Sequence, residues 1–388
     1  MLSMAPLKAL FTAQFLSAFV DNMILFIVLA VIKRDGYPDY YLPFVQTTFL
    51  ASYILLSPWV GRFADRKPKS NVLITGNIVK AGGALLLLFH CNPALSYAVV
   101  GLGAVIYSPA KYGILPFLTR NEKELLKANS GLESYTILAI LTGSIAGGVL
   151  SDLSVSLALT ACLALYATSI LVNTFIPKNP GNRNIDYQNA ISEFGTDIIT
   201  LFRNHQSHYS LIGSGSFWLA SAVLRMIIFA WVPLTLGITS GTSISLIIAV
   251  TGVGIAIGAA LTPYLIMIKN YHRTIWFGYA MALCIFAFLS IQSIFLVVVF
   301  LLLIGALGGI YIVPMNAVLQ QVGQHTVGEG KTIAVQNFIE NSFMCLGVGL
   351  YTLAAQKGVT VFMSIGITGV VLLLLVTYLL IYVKDKKW

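Results

Sequence analysis

Charge is what this sequence has least of. Asp, Glu, Lys and Arg together make up 10% of its 388 residues, 23 of them basic and 14 acidic. A soluble domain of that length could not keep its surface in water with so few, whereas a composition that is 57% hydrophobic suits a chain solvated by lipid. A net charge of +9 would point a soluble protein toward nucleic acid. Here the basic residues fall in short connections between apolar runs, so nucleic-acid binding is set aside. Cysteine is scarce and scattered: Cys91, Cys162, Cys284 and Cys345 lie far apart and mostly inside apolar runs, which argues against a metal cluster and a disulfide framework. The five histidines (His90, His205, His208, His272, His325) form neither an H-x-x-x-x-D pair nor an H-E-x-x-H site. No enzyme activity, cofactor or metal is therefore expected. The first apolar run is too long for a signal-peptide core and no A-x-A-like cleavage site follows it, so it reads as a retained helix.

What the chain does have is length of hydrophobic run. Twelve candidate spans occur at about 7–32, 42–60, 71–90, 96–118, 129–150, 156–176, 208–235, 244–268, 274–292, 294–318, 332–356 and 361–383. Each is long enough to cross a hydrocarbon core of roughly 30 Å. The connections are short except for Pro177–Ser207, which opens as a turn-rich PKNPGNRN linker. Within it Tyr187, Ile191, Phe194, Ile198 and Phe202 recur at helical spacing, the pattern of an amphipathic helix on the membrane surface. The expected organisation is thus an N-terminal six-helix bundle (1–176), a cytoplasmic linker (177–207) and a C-terminal six-helix bundle (208–388). With the N-terminus inside, seventeen of the 23 basic residues fall in inside regions and three (Lys33, Arg34, Lys357) outside. That bias places both termini in the cytoplasm.

The two halves repeat each other. Pro109 in YSPAKYGIL and Pro314 in IVPMNAVL end spans four and ten; Glu133 in GLESYT and Glu340 in FIENSF open spans five and eleven; FLSAFVDNMI around Asp21 aligns with LASAVLRMII around Arg225. Parallel six-helix repeats place a substrate site between the halves at mid-depth, the major facilitator arrangement. Six ionisable residues fall within spans: Asp21, Lys80, Lys111, Glu133, Arg225 and Glu340. Such residues are expensive in lipid and mark functional sites by default. Asp21, beside Asn22, and Arg225 occupy equivalent places with opposite charge, which predicts an ion pair across a central cavity. Lys111, beside Tyr112, is expected in the same cavity. Gln336, Asn337, Glu340 and Asn341 share one helical face, a polar stripe matched by Glu133 with Asn129. Lys80 is given a lesser place, either snorkelling or pairing with Glu133.

Two resemblances follow from these residues. GRFADRKPK (Gly61–Lys69) resembles the loop signature of the major facilitator superfamily, G-x-x-x-D-R/K-x-G-R-R/K. Gly61, Asp65, Arg66 and Lys69 match it, while Pro68 replaces the second glycine and Ser70 the last basic residue. Gly61, Asp65 and Arg66 are accordingly expected to gate rather than to bind. AQFLSAFVDNMILF, YSPAKYGIL, GSIAGGVLSD, VPLTLGIT, VPMNAVLQ and IAVQNFIENS together resemble the bacterial lysophospholipid transporter family, over nearly the whole chain. That resemblance implies a facilitator of the inner membrane that moves lysophospholipids from the outer to the cytoplasmic leaflet; a monomer is expected. Re-acylation there would fall to a separate acyltransferase. The expected substrate-binding residues are Asp21, Asn22, Lys111, Tyr112, Glu133, Arg225, Gln336, Asn337 and Glu340. The alternative is a proton-coupled transporter of another small amphiphile or a sugar, in which Asp21 or Glu340 titrates.

Overall fold

The computed structural model describes residues 5–120 and 122–385, apart from the side chains of some helical residues, Glu133 among them. Among the described residues every regular element is a helix. In chain order these are α1 (Pro6–Arg34), α2 (Tyr41–Arg66), α3 (Lys69–Leu88), α4 (Pro93–Gly113), α5 (Leu115–Leu118), α6 (Glu122–Leu153), α7 (Val155–Asn173), α8 (Ala190–Arg203), α9 (His205–Leu236), α10 (Gly241–Leu265), α11 (Thr274–Ala287), α12 (Ile294–Gln324), α13 (Glu329–Gln356) and α14 (Val361–Asp385). Eleven helical stretches among the described residues are long and apolar enough to cross a membrane. The remaining long helix, α2, has 26 residues, with Gln46, Thr47, Thr48, Ser52 and Ser57 diluting its hydropathy. All twelve expected spans therefore have a long helix at their positions. Prolines 58, 109, 233 and 314 lie inside these helices, a placement that membrane helices tolerate.

The chain clusters into two compact units, Met1–Pro38 with Thr48–Phe194, and Asp39–Thr47 with Gly195–Trp388. In the first unit α1 is the centre, packed against α4, α6 and α7, while α3 packs on α4 and α7. An apolar helix buried around most of its circumference is what a bundle centre requires, and α1 buries residues from Ala9 to Ile32 on all sides. Small residues set the distance of closest approach. A Cβ on Gly143 or Gly147 of α6 would overlap the backbone of Phe19 and Met23 on α1, so the two backbones meet without intervening side chains. In the second unit α9 is the centre, packed on α12, α13 and α14, and α10 meets α12 through Gly254, Gly258, Gly305 and Gly309 in the same backbone-to-backbone fashion. The outward faces of both units carry exposed aliphatic side chains such as Leu157, Leu171, Leu374 and Ile381, as lipid-facing surfaces do.

The amphipathic helix expected in the linker is α8, which begins at Ala190, after Tyr187. Its apolar residues are divided: Phe194 and Leu201 are buried, while Ile191 and Ile199 point outward. The segment before it clasps the α2–α3 connection. Asn179 Oδ1 accepts from the Lys69 backbone N–H at 2.7 Å, supplying the partner that the start of α3 lacks in its own turn. The Asn182 N–H donates to the Asp65 carbonyl at 3.0 Å, the Arg66 guanidinium lies 5.2 Å over the Tyr187 ring, and Arg62 pairs with Glu193 at 2.6 Å while donating to the Asp186 carbonyl.

Candidate functional site

Asp21 sits near the middle of α1, and the structure gives its carboxylate two donors from its own unit. The Lys80 ammonium of α3 donates to Oδ2 at 2.6 Å, and the Tyr166 hydroxyl of α7 donates to Oδ1 at 2.8 Å. Both partners become reachable because α7 packs on α1 and α3 packs on α7. The Lys80 side chain is 1% exposed and that of Asp21 21%, so what exposure the pair has belongs to Asp21. Lys80 also donates to Ser17 Oγ at 2.8 Å and lies 4.5 Å over the Tyr107 ring. From Ser17 the hydrogen bonds continue in one direction: Ser17 donates to Asn77 Oδ1, Asn77 donates to Ser169, and Ser169 donates to the Ala13 carbonyl. Each polar group in this chain is buried, and the chain satisfies groups that would otherwise be costly to bury.

This corrects the sequence reading at one point. Lys80 neither snorkels nor takes a minor place; it pairs with Asp21 within the first unit. The signal was there to be found. Ser17 and Asp21 are four apart on α1, Asn77 and Lys80 three apart on α3, and Tyr166 and Ser169 three apart on α7, so each helix presents one polar stripe. Asn22 turns back on its own helix and donates to the Ala18 carbonyl at 2.8 Å, leaving its amide oxygen as an acceptor.

Lys111 ends α4, with its ammonium 4.8 Å over the Tyr112 ring. Tyr112 packs on a buried apolar cluster that includes Leu10, Ile114 and Leu115. The same cluster includes Tyr107, whose ring lies 4.5 Å from the Lys80 ammonium. Arg225 lies half-buried on α9 of the second unit. In that unit Gln336 Nε2 donates to Glu340 Oε1 at 2.8 Å and to Asn316 Oδ1 of α12 at 2.9 Å. The expected stripe is therefore divided: Gln336 and Glu340 bond each other and a neighbouring helix, whereas Asn341 donates back to the Asn337 carbonyl. Asn316 was not anticipated as part of this cluster. The Glu133 side chain lies outside the described residues.

A carboxylate–ammonium pair in one unit and a buried carboxylate among amides in the other are ionisable groups within apolar helices, a placement that marks functional residues by default. The sequence pattern of the Major Facilitator Superfamily matches residues 10–350. The lysophospholipid transporter LplT of Photorhabdus laumondii is 40% identical over 385 residues, 98% of this chain and 96% of the relative. The chain belongs to the lysophospholipid transporter family of the Major Facilitator Superfamily. The relative of the same name from Escherichia coli O7:K1 is 42% identical over 358 residues, covering 92% of this chain and 90% of its own. Among solved structures, a variant of the nucleoside transporter NupG aligns with a TM-score of 0.75 over 97% of this chain and 99% of that one, at 14% identity. The human organic anion transporter MFSD10 aligns at 0.68 over 97% and 100%, at 12% identity. These two establish the transporter fold and nothing about cargo. This is a multi-pass membrane protein of a family of transporters.

The superfamily loop signature is held by local contacts. Asp65 pairs with Lys69 at 2.6 Å, and Lys69 lies along Gly113, where a Cβ would come within 2.9 Å of its Cε. Gly61 has open space where a side chain would be. Asp65 and Arg66 are thus engaged with the linker and the start of α3, away from Asp21.

Proposed function

We propose that this transporter moves lysophospholipids across the bacterial inner membrane from the outer to the cytoplasmic leaflet, where a separate acyltransferase restores the second chain. The observation that carries this reading is that relatives about 40% identical over nearly the whole chain are lysophospholipid transporters by name. The residues suit that cargo. A lysolipid has one acyl chain and a head group with a phosphate and, in zwitterionic forms, an amine. Arg225, with its planar fork, and Lys111 receive the phosphate. Asp21 and Glu340 face the amine, with Asn22, Tyr112, Glu133, Gln336 and Asn337 as neighbouring polar contacts. Gly61, Asp65 and Arg66 gate the cytoplasmic side. The acyl chain stays in hydrocarbon while the head group crosses a wet path, which removes the main barrier to flipping.

The test is reconstitution into vesicles with labelled lysophosphatidylethanolamine, following the label that albumin can no longer extract. Faster protection than in protein-free vesicles, abolished by Arg225→Gln, is the expected result. Equal rates with and without protein would overturn the reading. Imposing a proton gradient in the same vesicles addresses the alternative: a rate that follows the gradient identifies a proton-coupled carrier, and a rate indifferent to it a facilitator.

A further inference from the structure

We propose that Lys80, which no substrate can touch, decides how the transporter treats the net charge of a head group. The proposal rests on the lysolipid reading above. Lys80 is sealed on every side by protein: Asp21 Oδ2, Ser17 Oγ and the Tyr107 ring take its three directions, and 1% of its side chain is exposed. Its partner carboxylate is the exposed member of the pair, so a ligand meets Asp21 with its charge already balanced.

Proton bookkeeping fixes the arrangement. Ser169 spends its only hydroxyl proton on the Ala13 carbonyl, and Ser17 spends its own on Asn77 Oδ1. Asn77 uses its amide to donate to Ser169. Ser17 Oγ can therefore only accept from the neighbour on its other side, and the residue there must be a donor. Tyr166 likewise donates to Asp21 Oδ1. The network thus calls for a donor at Lys80 and an acceptor at Asp21; with the proton on either partner the pair is a neutral unit, and its open face is hydrogen-bonding but carries no net charge.

Such a face serves zwitterionic and anionic lysolipids alike, because neither is drawn in nor repelled by an unbalanced charge. Remove the ammonium, and the carboxylate becomes a bare anion at the ligand's edge. A unit charge within about 6 Å of a head-group charge, at the effective dielectric of a partly wet site, changes binding by at least about tenfold. Amine-bearing lysolipids would gain from Lys80→Met and lysolipids of net negative charge would lose. Asp21→Asn leaves the ammonium unbalanced and should shift the preference the other way.

The experiment measures flipping of lysophosphatidylethanolamine and lysophosphatidylglycerol in reconstituted vesicles for wild type, Lys80→Met, Asp21→Asn and the double variant. Lys80→Met is expected to raise the ratio of the first to the second at least about tenfold, Asp21→Asn to lower it, and the double variant to return it to within about twofold of wild type. A purely structural Lys80 would slow both lipids equally and leave the ratio unchanged, and that outcome overturns the proposal. If Lys80→Met does not fold, Asp21→Asn against the double variant decides alone, since the ratio must still fall and then recover. Failure of wild type to flip either lipid would instead count against the lysolipid reading.

Discussion

At the scale of single residues, the polar chain in the first unit behaves as one object because each hydroxyl and amide has one proton direction open to it. Asn77 is the link whose loss leaves most unsatisfied. Asn77→Ala strips Ser17 of its acceptor and Ser169 of a donor in a buried setting, and should cost about 1–3 kcal/mol, read as a lower Tm in detergent. Asn92, which caps α4 at an exposed site, supplies the comparison: Asn92→Ala should cost about 1 kcal/mol. In the second unit, Glu340→Gln keeps an oxygen to accept from Gln336, so folding should change by less than about 1 kcal/mol while flipping falls. A variant that unfolds would mean that the carboxylate is a packing element. The charged residues of this site were legible as rare ions in apolar helices; their pairing was not. Helical periodicity assigns a residue to a face of its own helix, and which helix stands opposite is decided by packing of the whole unit. Hence Lys80 was seen and misplaced.

At the scale of elements, the contact of α6 with α1 rests on small residues at positions 143 and 147. Gly143→Ala pushes a methyl into the Phe19 carbonyl, and separating two tightly packed helices should cost about 1–3 kcal/mol. Gly82→Ala on α3 meets no atom within 4 Å and should be neutral or mildly stabilising, so thermal unfolding of the two variants separates crowding from a general effect of alanine. GSIAGG announces a close contact in the sequence itself, since only small residues permit one. The linker was legible only in part. Its helix was evident from the spacing of Phe194, Ile198 and Phe202, while which of its apolar residues are covered was not: Phe194 and Leu201 are buried and Ile191 and Ile199 point outward. Asn179 and Asn182 read as turn residues, and their second task, holding the α2–α3 connection, depends on a chain more than a hundred positions earlier. Because the Asp65–Lys69 pair leaves Asp65 63% exposed, Asp65→Asn should barely alter stability. It should change the rate of flipping without changing the preference among head groups.

At the scale of the whole molecule, the all-helical membrane fold follows from hydropathy, which is why it was readable from the sequence; the two compact units do not keep to the expected bounds, since Asp39–Thr47 groups with Gly195–Trp388. Orientation is a matter of where the basic residues lie. A single cysteine at Lys357, in a background without the native four, should react with an impermeant maleimide on intact spheroplasts, and one at Lys178 only after the membrane is opened. The reverse pattern would turn the molecule over. The ion pair between Asp21 and Lys80 has one more consequence, which concerns how the protein is made. The two residues are 59 positions apart. At bacterial or slower rates of about 5–20 residues per second, the ribosome delivers the lysine roughly 3–12 s after the aspartate. During that interval the first helix carries an acid into the bilayer without its base, at a cost of about 2.5–3.5 kcal/mol on insertion scales. The nascent helix therefore has reason to linger at the translocation channel until the third arrives, and chains truncated before Lys80 should be released into lipid less completely than chains truncated just beyond it.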